Sequence, residues 1–307
     1  MSDKPFNYGG QAVLEGVMMR GSRALAVAVR NPEGEIVTHV EPVNQALYNG
    51  PISRIPFLRG VTMIWDALGL GMRSLMFSAD VALGEEEGAS FSGPVAWGTV
   101  AVSFAFAIGL FFVLPSLVVG FVDDRITSSL LSNLLEGVIR LLLFVGYVWL
   151  IGLIPDIRRV FAYHGAEHKT INAYEAGEEL TPASAGRFTT LHPRCGTAFL
   201  LSVVVISILL FSLFGRPVLW LRILSRLVLI PVIAAVAYEY IRFSARHLDK
   251  AWMRVIAAPN LAMQRLTTRE PDSEMLQVAI TAFNCMMAAE KAPVEGHETQ
   301  LGEAAAP

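Results

Sequence analysis

Apolar residues gather into four long runs along this chain, at 95–122, 134–155, 197–214 and 218–241. Each run comes near the about 20 residues that a helix needs to cross about 30 Å of hydrocarbon. The pattern predicts four transmembrane helices. Pro115 should kink the first and Pro155 end the second. Gly215-Arg216-Pro217 leaves only a tight link between the third and the fourth.

The rest of the chain has shorter periods. Residues 24–29 (ALAVAV) and 35–40 (EIVTHV) read as strands, and Asn31-Pro32-Glu33-Gly34 between them supplies the turn of a β-hairpin. The run GGQAVLEGVMMRG precedes them. Its Gly9, Gly10, Gly16 and Gly21 imply tight backbone, a turn-and-strand cap carrying Gln11, Glu15 and Arg20, and it matches no phosphate-loop pattern. Together 1–56 form the N-terminal segment. Over 57–80, Val61, Ile64, Leu68, Met72 and Leu75 recur at helical spacing, interrupted by Arg59, Asp66 and Arg73. This predicts an amphipathic helix that lies in the membrane interface or packs on the other helices. Residues 82–93 read as an acidic linker. Residues 242–290 read as helices, one broken at Pro259-Asn260 and the last starting at 267–272. The polar, Ala-rich 291–307 reads as a disordered tail.

Composition strengthens the membrane reading. Hydrophobic residues make up 53% and charged residues 17%, where a soluble domain carries about 25%. Mean hydropathy is +0.50. The net charge of −3 leaves no polycationic face, so nucleic acid is not an expected partner. Two cysteines, Cys195 and Cys285, make no disulfide framework. The start, MSDKPFNYGG, lacks the pattern of a secretory signal. Lys4, Arg20, Arg23, Arg30, Arg54, Arg59 and Arg73 precede the first run, five more Lys and Arg lie in 156–196, and Arg242, Arg246, Lys250, Arg254, Arg265 and Arg269 follow the fourth. Arg125 and Arg216 stand alone in the other two links. The bias puts both termini and the segment 156–196 on the cytoplasmic side of a bacterial inner membrane. The expected fold class is mainly α: a polytopic membrane helical bundle of about four spans, with a small N-terminal β-hairpin and cytoplasmic helices.

Within the fourth run Arg222 and Arg226 are i,i+4 neighbours. They either snorkel to the headgroups or join a buried polar network with Asp123, Asp124 and Glu136.

The segment 156–196 carries the chemistry. His164-Gly165-Ala166-Glu167-His168 is an H-x-x-E-H pattern. On a helix, two histidines one turn apart offer two ligands to one Zn²⁺, and the glutamate between them can take a proton from water. Tyr163 to Tyr174 contains no proline and is closed by Gly177, which supports the helix. Leu191-His192-Pro193-Arg194-Cys195-Gly196 follows, so His192 and Cys195 are further candidate ligands for a borderline-soft divalent cation. Glu175 and Glu239 are alternatives, as a third ligand or as supports of a ligand. The bland alternatives are histidines bonded to headgroups, a small buried cysteine, and Glu239 paired with Arg242.

GGQAVLEGVMMRG, HGAEHKTINAYE, TLHPRCGTAFLL and QRLTTREPD resemble the bacterial YqhQ family, labelled domain of unknown function 1385 and described as a predicted metal-dependent membrane enzyme. The resemblance runs from Tyr8 to Ala289. It implies a functional role for His164, Glu167, His168, His192 and Cys195. The expected function is a metal-dependent membrane hydrolase, peptidase-like, acting on a membrane-tethered peptide or a lipid. Zn²⁺ would sit on His164, His168 and a third ligand, His192 by first choice, with Glu167 as general base. A non-enzymatic scaffold, its cation closed in by His164, His168, His192 and Cys195, is one rival. A transporter-like component with Arg222, Arg226 and Glu239 along its path is another.

Overall fold

The computed structural model describes residues 8–44, 55–84, 94–215 and 217–292. Lys4, Arg54, Arg216, most of the acidic linker and the tail from 293 lie outside them.

The N-terminal expectation of one hairpin becomes a four-stranded antiparallel sheet, β1 (Gly9–Val13), β2 (Gly16–Arg20), β3 (Ala24–Arg30) and β4 (Ile36–Pro42), in the order β1-β2-β3-β4. The predicted hairpin is β3–β4, with Arg30 opposite Ile36. The glycine-rich run before it is itself a hairpin, β1–β2, with Val13 opposite Gly16. Its two strands are short and glycine-rich, which hid their alternation in the sequence. Period two shows in the burial: Val17, Met19, Ala26 and Ala28 enter one core, while Val13, Met18, Leu25, Val27 and Val29 enter a second.

Helix α1 (Leu58–Leu83) covers the second core through Leu70, Phe77 and Val81. It is the predicted amphipathic helix; Trp65 and Leu68 remain exposed on its other side. The first long apolar helix is α2 (Pro94–Ile108), a π-helical turn (Gly109–Val113) and α3 (Leu114–Gly120) in sequence. The next are α4 (Ser129–Ile151) and α5 (Pro155–Glu175), then a short α6 (Pro182–Ala185) and the apolar α7 (Gly196–Ser212). They are followed by α8 (Leu219–Val228), α9 (Ile230–Arg246), α10 (Ala251–Thr267) and α11 (Ser273–Lys291). Helices α5 and α11 pack on the sheet face opposite α1, where Tyr163, Ala166, Ile171, Ala279 and Phe283 fill the first core.

Two helices, Trp97–Gly120 and Ser129–Ile151, are long and apolar enough to cross a membrane, and α8 with α9 makes a third if the two are one span bent by 44°. The predicted third run is less clear as a crossing. Its helix α7 has 17 residues, about 26 Å at 1.5 Å per residue, short of the hydrocarbon thickness. Among the described residues there are therefore two or three candidate spans rather than four. A second correction concerns Pro259. It does not break its helix but lies inside α10, and the break falls at 247–250 instead. The proline removes one backbone bond, to the Val255 carbonyl, at a position where Val255 is exposed. The last helix starts as expected, with the Asp272 carboxylate accepting from Met275 N–H at 2.8 Å.

Candidate metal centre

Pro155 at the first turn and Asp156 beside it start α5 where the second apolar helix ends. The helix is amphipathic only at first. From Ala162 to Ala173 nearly every residue is buried, because the sheet, α11 and the loop 186–195 surround it. Gly165 permits one of these contacts: a Cβ there would lie 2.1 Å from the Arg269 carbonyl oxygen. The turn after α10 therefore touches the α5 backbone directly, and Arg269 N–H donates to the Phe161 carbonyl at 2.8 Å.

That close approach orients the first histidine. His164 Nδ1 donates to the Thr267 carbonyl at 2.8 Å. His168 Nδ1 donates in the same way to the Thr190 carbonyl at 2.5 Å. A carbonyl only accepts, so both rings carry a proton on Nδ1 and turn Nε2 towards the cluster. His168 is 1% exposed, and among the described residues its Nε2 has no hydrogen-bond partner. The two rings are 4.4 Å apart between centroids.

Cys195 caps the N-terminus of α7. Its Sγ lies 3.2 Å from His164 Nε2. Thr197 N–H reaches the sulfur at 3.4 Å and the Thr197 hydroxyl lies 3.0 Å from it. That hydroxyl also accepts from Thr267 at 3.2 Å, which leaves its own proton free for the sulfur. Among the described residues, one ligand atom each from His164, His168 and Cys195 lie within 4.8 Å of one another. Zinc bonds of about 2.0 Å to nitrogen and 2.3 Å to sulfur put such donors roughly 3.5 Å apart in a tetrahedron. The donors are of the right chemistry, and His168 needs only a small movement to close on the other two.

Glu167 stands at the edge of this triad. Its Oε2 is 3.9 Å from His164 Nε2 and 4.0 Å from His168 Nε2. Burial pushes its carboxyl up to about 7, against the opposing pull of His164 and of the Gly10 N–H. Gly10 must be glycine for this contact. A Cβ there would lie 2.4 Å from the Met18 carbonyl and 3.0 Å from Glu167 Cγ.

The loop that brings Thr190, His192 and Cys195 is fastened from both sides. Lys169 Nζ donates to the Gly186 carbonyl at 2.8 Å, and Asn172 Nδ2 to Thr189 and Leu191 carbonyls at 2.9 and 3.1 Å. From α10, the buried Gln264 takes the His192 N–H and gives its amide to the His192 carbonyl, both at 2.8 Å.

The other predicted ligands lie outside the triad. The His192 ring is 5.6 Å from that of His168, and its Nε2 is 3.7 Å from Glu175 Oε2. Burial pushes this imidazole below its ordinary range, helped by Arg194 and His168 and opposed by Glu175. Glu175 is held below the usual carboxylate range by His192 first and then by Arg194, with which it pairs. Glu239 pairs neither with the histidines nor with Arg242 as expected. Arg59 of α1 grips it in two bonds of 2.7 and 2.5 Å, and Phe57 N–H adds a third at 3.3 Å.

Arg222 and Arg226 do not snorkel. Arg226 is fully buried and donates to Glu136 at 3.1 Å and to Asn133 at 2.8 Å, with its guanidinium 4.1 Å from the Phe211 ring centroid. Arg140 shares Glu136 at 2.7 Å and also donates to the Phe111 carbonyl of the π-turn at 2.8 Å. Arg222 donates to Asp123 at 2.8 Å. The Asp124 side chain lies outside the described part. Sequence reasoning missed Arg140, although its i,i+4 spacing from Glu136 inside an apolar run was a visible signal. It also missed Gly10, Gln264 and the two backbone carbonyls that orient the histidines. Carbonyls of distant loops leave no trace in residue identity.

Comparison with known proteins agrees in extent with the sequence resemblance. The family model described as "Protein of unknown function (DUF1385)" matches residues 55–289. The "Uncharacterized protein YqhQ" of Bacillus subtilis (strain 168) is 33% identical over 293 residues, covering 91% of this chain and 92% of the relative. No solved structure matches the chain. With both matches spanning most of its length, the chain belongs to the DUF1385 family.

Proposed function

We propose that this chain is a membrane-bound, metal-dependent hydrolase whose divalent cation, zinc by preference, is held by His164, His168 and Cys195. The observation that carries the reading is His168 Nε2: buried, without a hydrogen-bond partner, and fixed by its Nδ1 bond so that a lone pair meets the donor atoms of His164 and Cys195. Buried acceptors facing one another are costly unless a proton or a cation lies between them. Three protein ligands leave the fourth position of a tetrahedral ion to water, whose acidity such an ion raises. Glu167 is then the general base. Its carboxylate lies within 4.0 Å of both imidazole nitrogens, and the Gly10 backbone packs directly against its side chain. Thr190 and Thr267 keep the imidazoles in the binding tautomer. His192, the first choice from sequence, serves with Glu175 and Gln264 in fixing the loop.

The centre belongs at the inner face of a bacterial cytoplasmic membrane. Cys195 caps the apolar α7, and the Lys and Arg bias puts the termini on the same side. A four-crossing topology fits this if α7 crosses with local thinning of the bilayer. Labelling of a Gly215→Cys variant by an impermeant reagent from outside the cell checks that topology; labelling only from inside refutes it.

The central test is metal content of the detergent-purified protein. One equivalent of metal should bind, and His164→Ala with His168→Ala should remove it. Cobalt-substituted protein should show a thiolate-to-cobalt charge-transfer band that Cys195→Ser abolishes. A metal-free wild type, or a band indifferent to Cys195, refutes the centre. Glu167→Gln should keep the metal and lose turnover. Should it instead change the cobalt coordination, Glu167 is a fourth ligand and the closed, scaffold-like site is correct.

A further inference from the structure

The arginine network between the apolar helices has donors left over. In it Arg140, Arg222 and Arg226 meet Glu136 and Asp123, three guanidinia against two carboxylates among the described side chains. Both oxygens of Asp123 are engaged: one accepts from Arg222 Nη2 at 2.8 Å, the other from the Ser132 hydroxyl at 2.5 Å. The Arg222 fork therefore closes on Asp123 through one nitrogen. Its Nε has no hydrogen-bond partner among the described residues, although the side chain is only 3% exposed. Arg226 Nη1, one turn further along α8, is buried without a partner as well. Unmet donors on a buried cation are costly, and an anion is the group that satisfies them.

Arg222 borders a space that could receive one. A cavity of about 380 Å³ lies between the end of α3 and the start of α8, with Asp123 and Arg222 in its wall. That volume is within the range of small-ligand sites. Val218 and Leu219 bring the start of α8 to the same cavity. Val218 stands at the N-cap and supplies no side-chain bond. The first N–H groups of this 10-residue helix thus lack intrahelical partners, and its positive end meets the cavity. The remaining wall is apolar: Leu117, Phe121, Val218 and Leu219 line it and are themselves exposed. The site is remote from the metal centre. Asn133, which accepts from Arg226, donates to the Phe214 carbonyl just past the end of α7, whereas Cys195 stands at the start of that helix.

We infer that this cavity binds a phosphate group, that of a membrane phospholipid headgroup, on Arg222 and the start of α8. A guanidinium fork matches phosphate oxygens. A phosphodiester carries one negative charge, which offsets the one positive charge that the described network has in excess. A free phosphate ion offers the same oxygens but leaves the apolar wall uncovered. A phospholipid sets its glycerol and the first carbons of its acyl chains against Leu117, Phe121, Val218 and Leu219. The inference goes beyond the hydrolase reading and does not rest on it.

The test uses the full-length protein, purified in a neutral detergent and stripped of lipid, with short-chain phosphatidylglycerol as the probe. The thermal midpoint should rise with lipid concentration, as for any ligand of the folded state. Arg222→Lys keeps a cation for Asp123 but removes the Nε–H. Lipid affinity should then weaken by about tenfold or more, the worth of one hydrogen bond to a charged group. Gly120→Leu adds a side chain at the cavity wall, where a Cβ meets nothing within 4 Å. It leaves the charged groups in place and should weaken binding by a similar factor. Unchanged affinity in either variant overturns the inference, and should Arg222→Lys fail to fold, Gly120→Leu decides. An equal rise with uncharged short-chain diacylglycerol also overturns it, because apolar contact alone would then explain the effect. Inorganic phosphate should give no rise that Arg222→Lys removes; one that matched the lipid and vanished in the variant would assign the site to the free ion and overturn the lipid source. Both variants should keep the metal content of the wild type, so failure here is distinct from failure of the metal centre.

Discussion

Around Arg226 the groups it contacts are complements of a guanidinium: a Glu136 carboxylate shared with Arg140, the Asn133 amide oxygen, the face of Phe211. Around His168 the neighbours are of its own kind, since the Nε2 lone pair meets another imidazole nitrogen, a sulfur and a carboxylate. Both clusters are buried and both sit in helices that the sequence marked as unusual. Donors that meet acceptors hold helices together, although Arg226 Nη1 and Arg222 Nε find no partner among the described residues. At His168 Nε2 no donor or acceptor completes the set among the described residues, and in the proposed reading a cation would do so. The Arg140–Glu136–Arg226 group reads as a polar clasp between α4, α7 and α8, and the His164–His168–Cys195 group is the one we propose as a seat for a cation.

Chelation should separate the two clusters most sharply. Removing metal with a strong chelator should lower the thermal midpoint of the wild type and leave the His164→Ala, His168→Ala variant unmoved, since a ligand stabilises only the fold that binds it. An equal response of both proteins breaks the contrast. The converse experiment acts on the clasp. Glu136→Leu leaves two guanidinia facing each other without their shared carboxylate, and breaking a buried pair costs about 3–5 kcal/mol. Its unfolding in detergent should move down by that amount while its metal content stays at the wild-type level. Loss of the metal along with the clasp would mean that the regions are coupled.

How much of this was legible differs between the regions for a physical reason. The H-x-x-E-H spacing places both imidazoles on one helix face whatever surrounds them, so the pair could be read from sequence. Which of the further candidates, His192 or Cys195, lies with the pair could not. His192 and Cys195 are three residues apart in a loop, and only the N-cap geometry of α7 and the Gln264 clamp on residue 192 turn the cysteine inward and the histidine towards Glu175. Arg222 and Arg226 were visible as a pair, but their burial depends on Asp123 and Glu136 arriving from other helices. The sheet shows the same limit. ALAVAV alternates inside a long enough strand to be seen, whereas GGQAV has too few side chains to carry a period.

A smaller effect tests the role given to Gly10. Gly10→Ala sets a methyl group 2.4 Å from the Met18 carbonyl, so β1 must shift away from β2 or from Glu167. Such overpacking costs about 1–3 kcal/mol. Because Gly10 packs directly against the Glu167 side chain, turnover should fall while bound metal stays constant. Metal loss in this variant would make Gly10 a support of the triad rather than of the base.

The smallest expected effect concerns acid stability at the rim of the centre. His192 and Arg194 depress the Glu175 carboxyl below its ordinary value. A folded pKa below the unfolded one means that the unfolded chain binds the proton first as pH falls. The contribution of Glu175 is therefore full above its unfolded value, about 4.3, and is lost as pH drops through the lower folded value. Glu175→Gln should flatten the thermal midpoint against pH in that acid window and leave the neutral range nearly unchanged, since the side chain is 37% exposed and screened. His192 shifts in the same direction, with its window opening below about 6.5 because the buried ring resists its proton. Wild-type stability should thus decline in two steps on acidification, and Glu175→Gln should remove the lower one. If the upper step vanished instead, His192 would be holding its charge through Glu175, and the rim of the site would be an ion pair rather than a neutral imidazole beside a carboxylate.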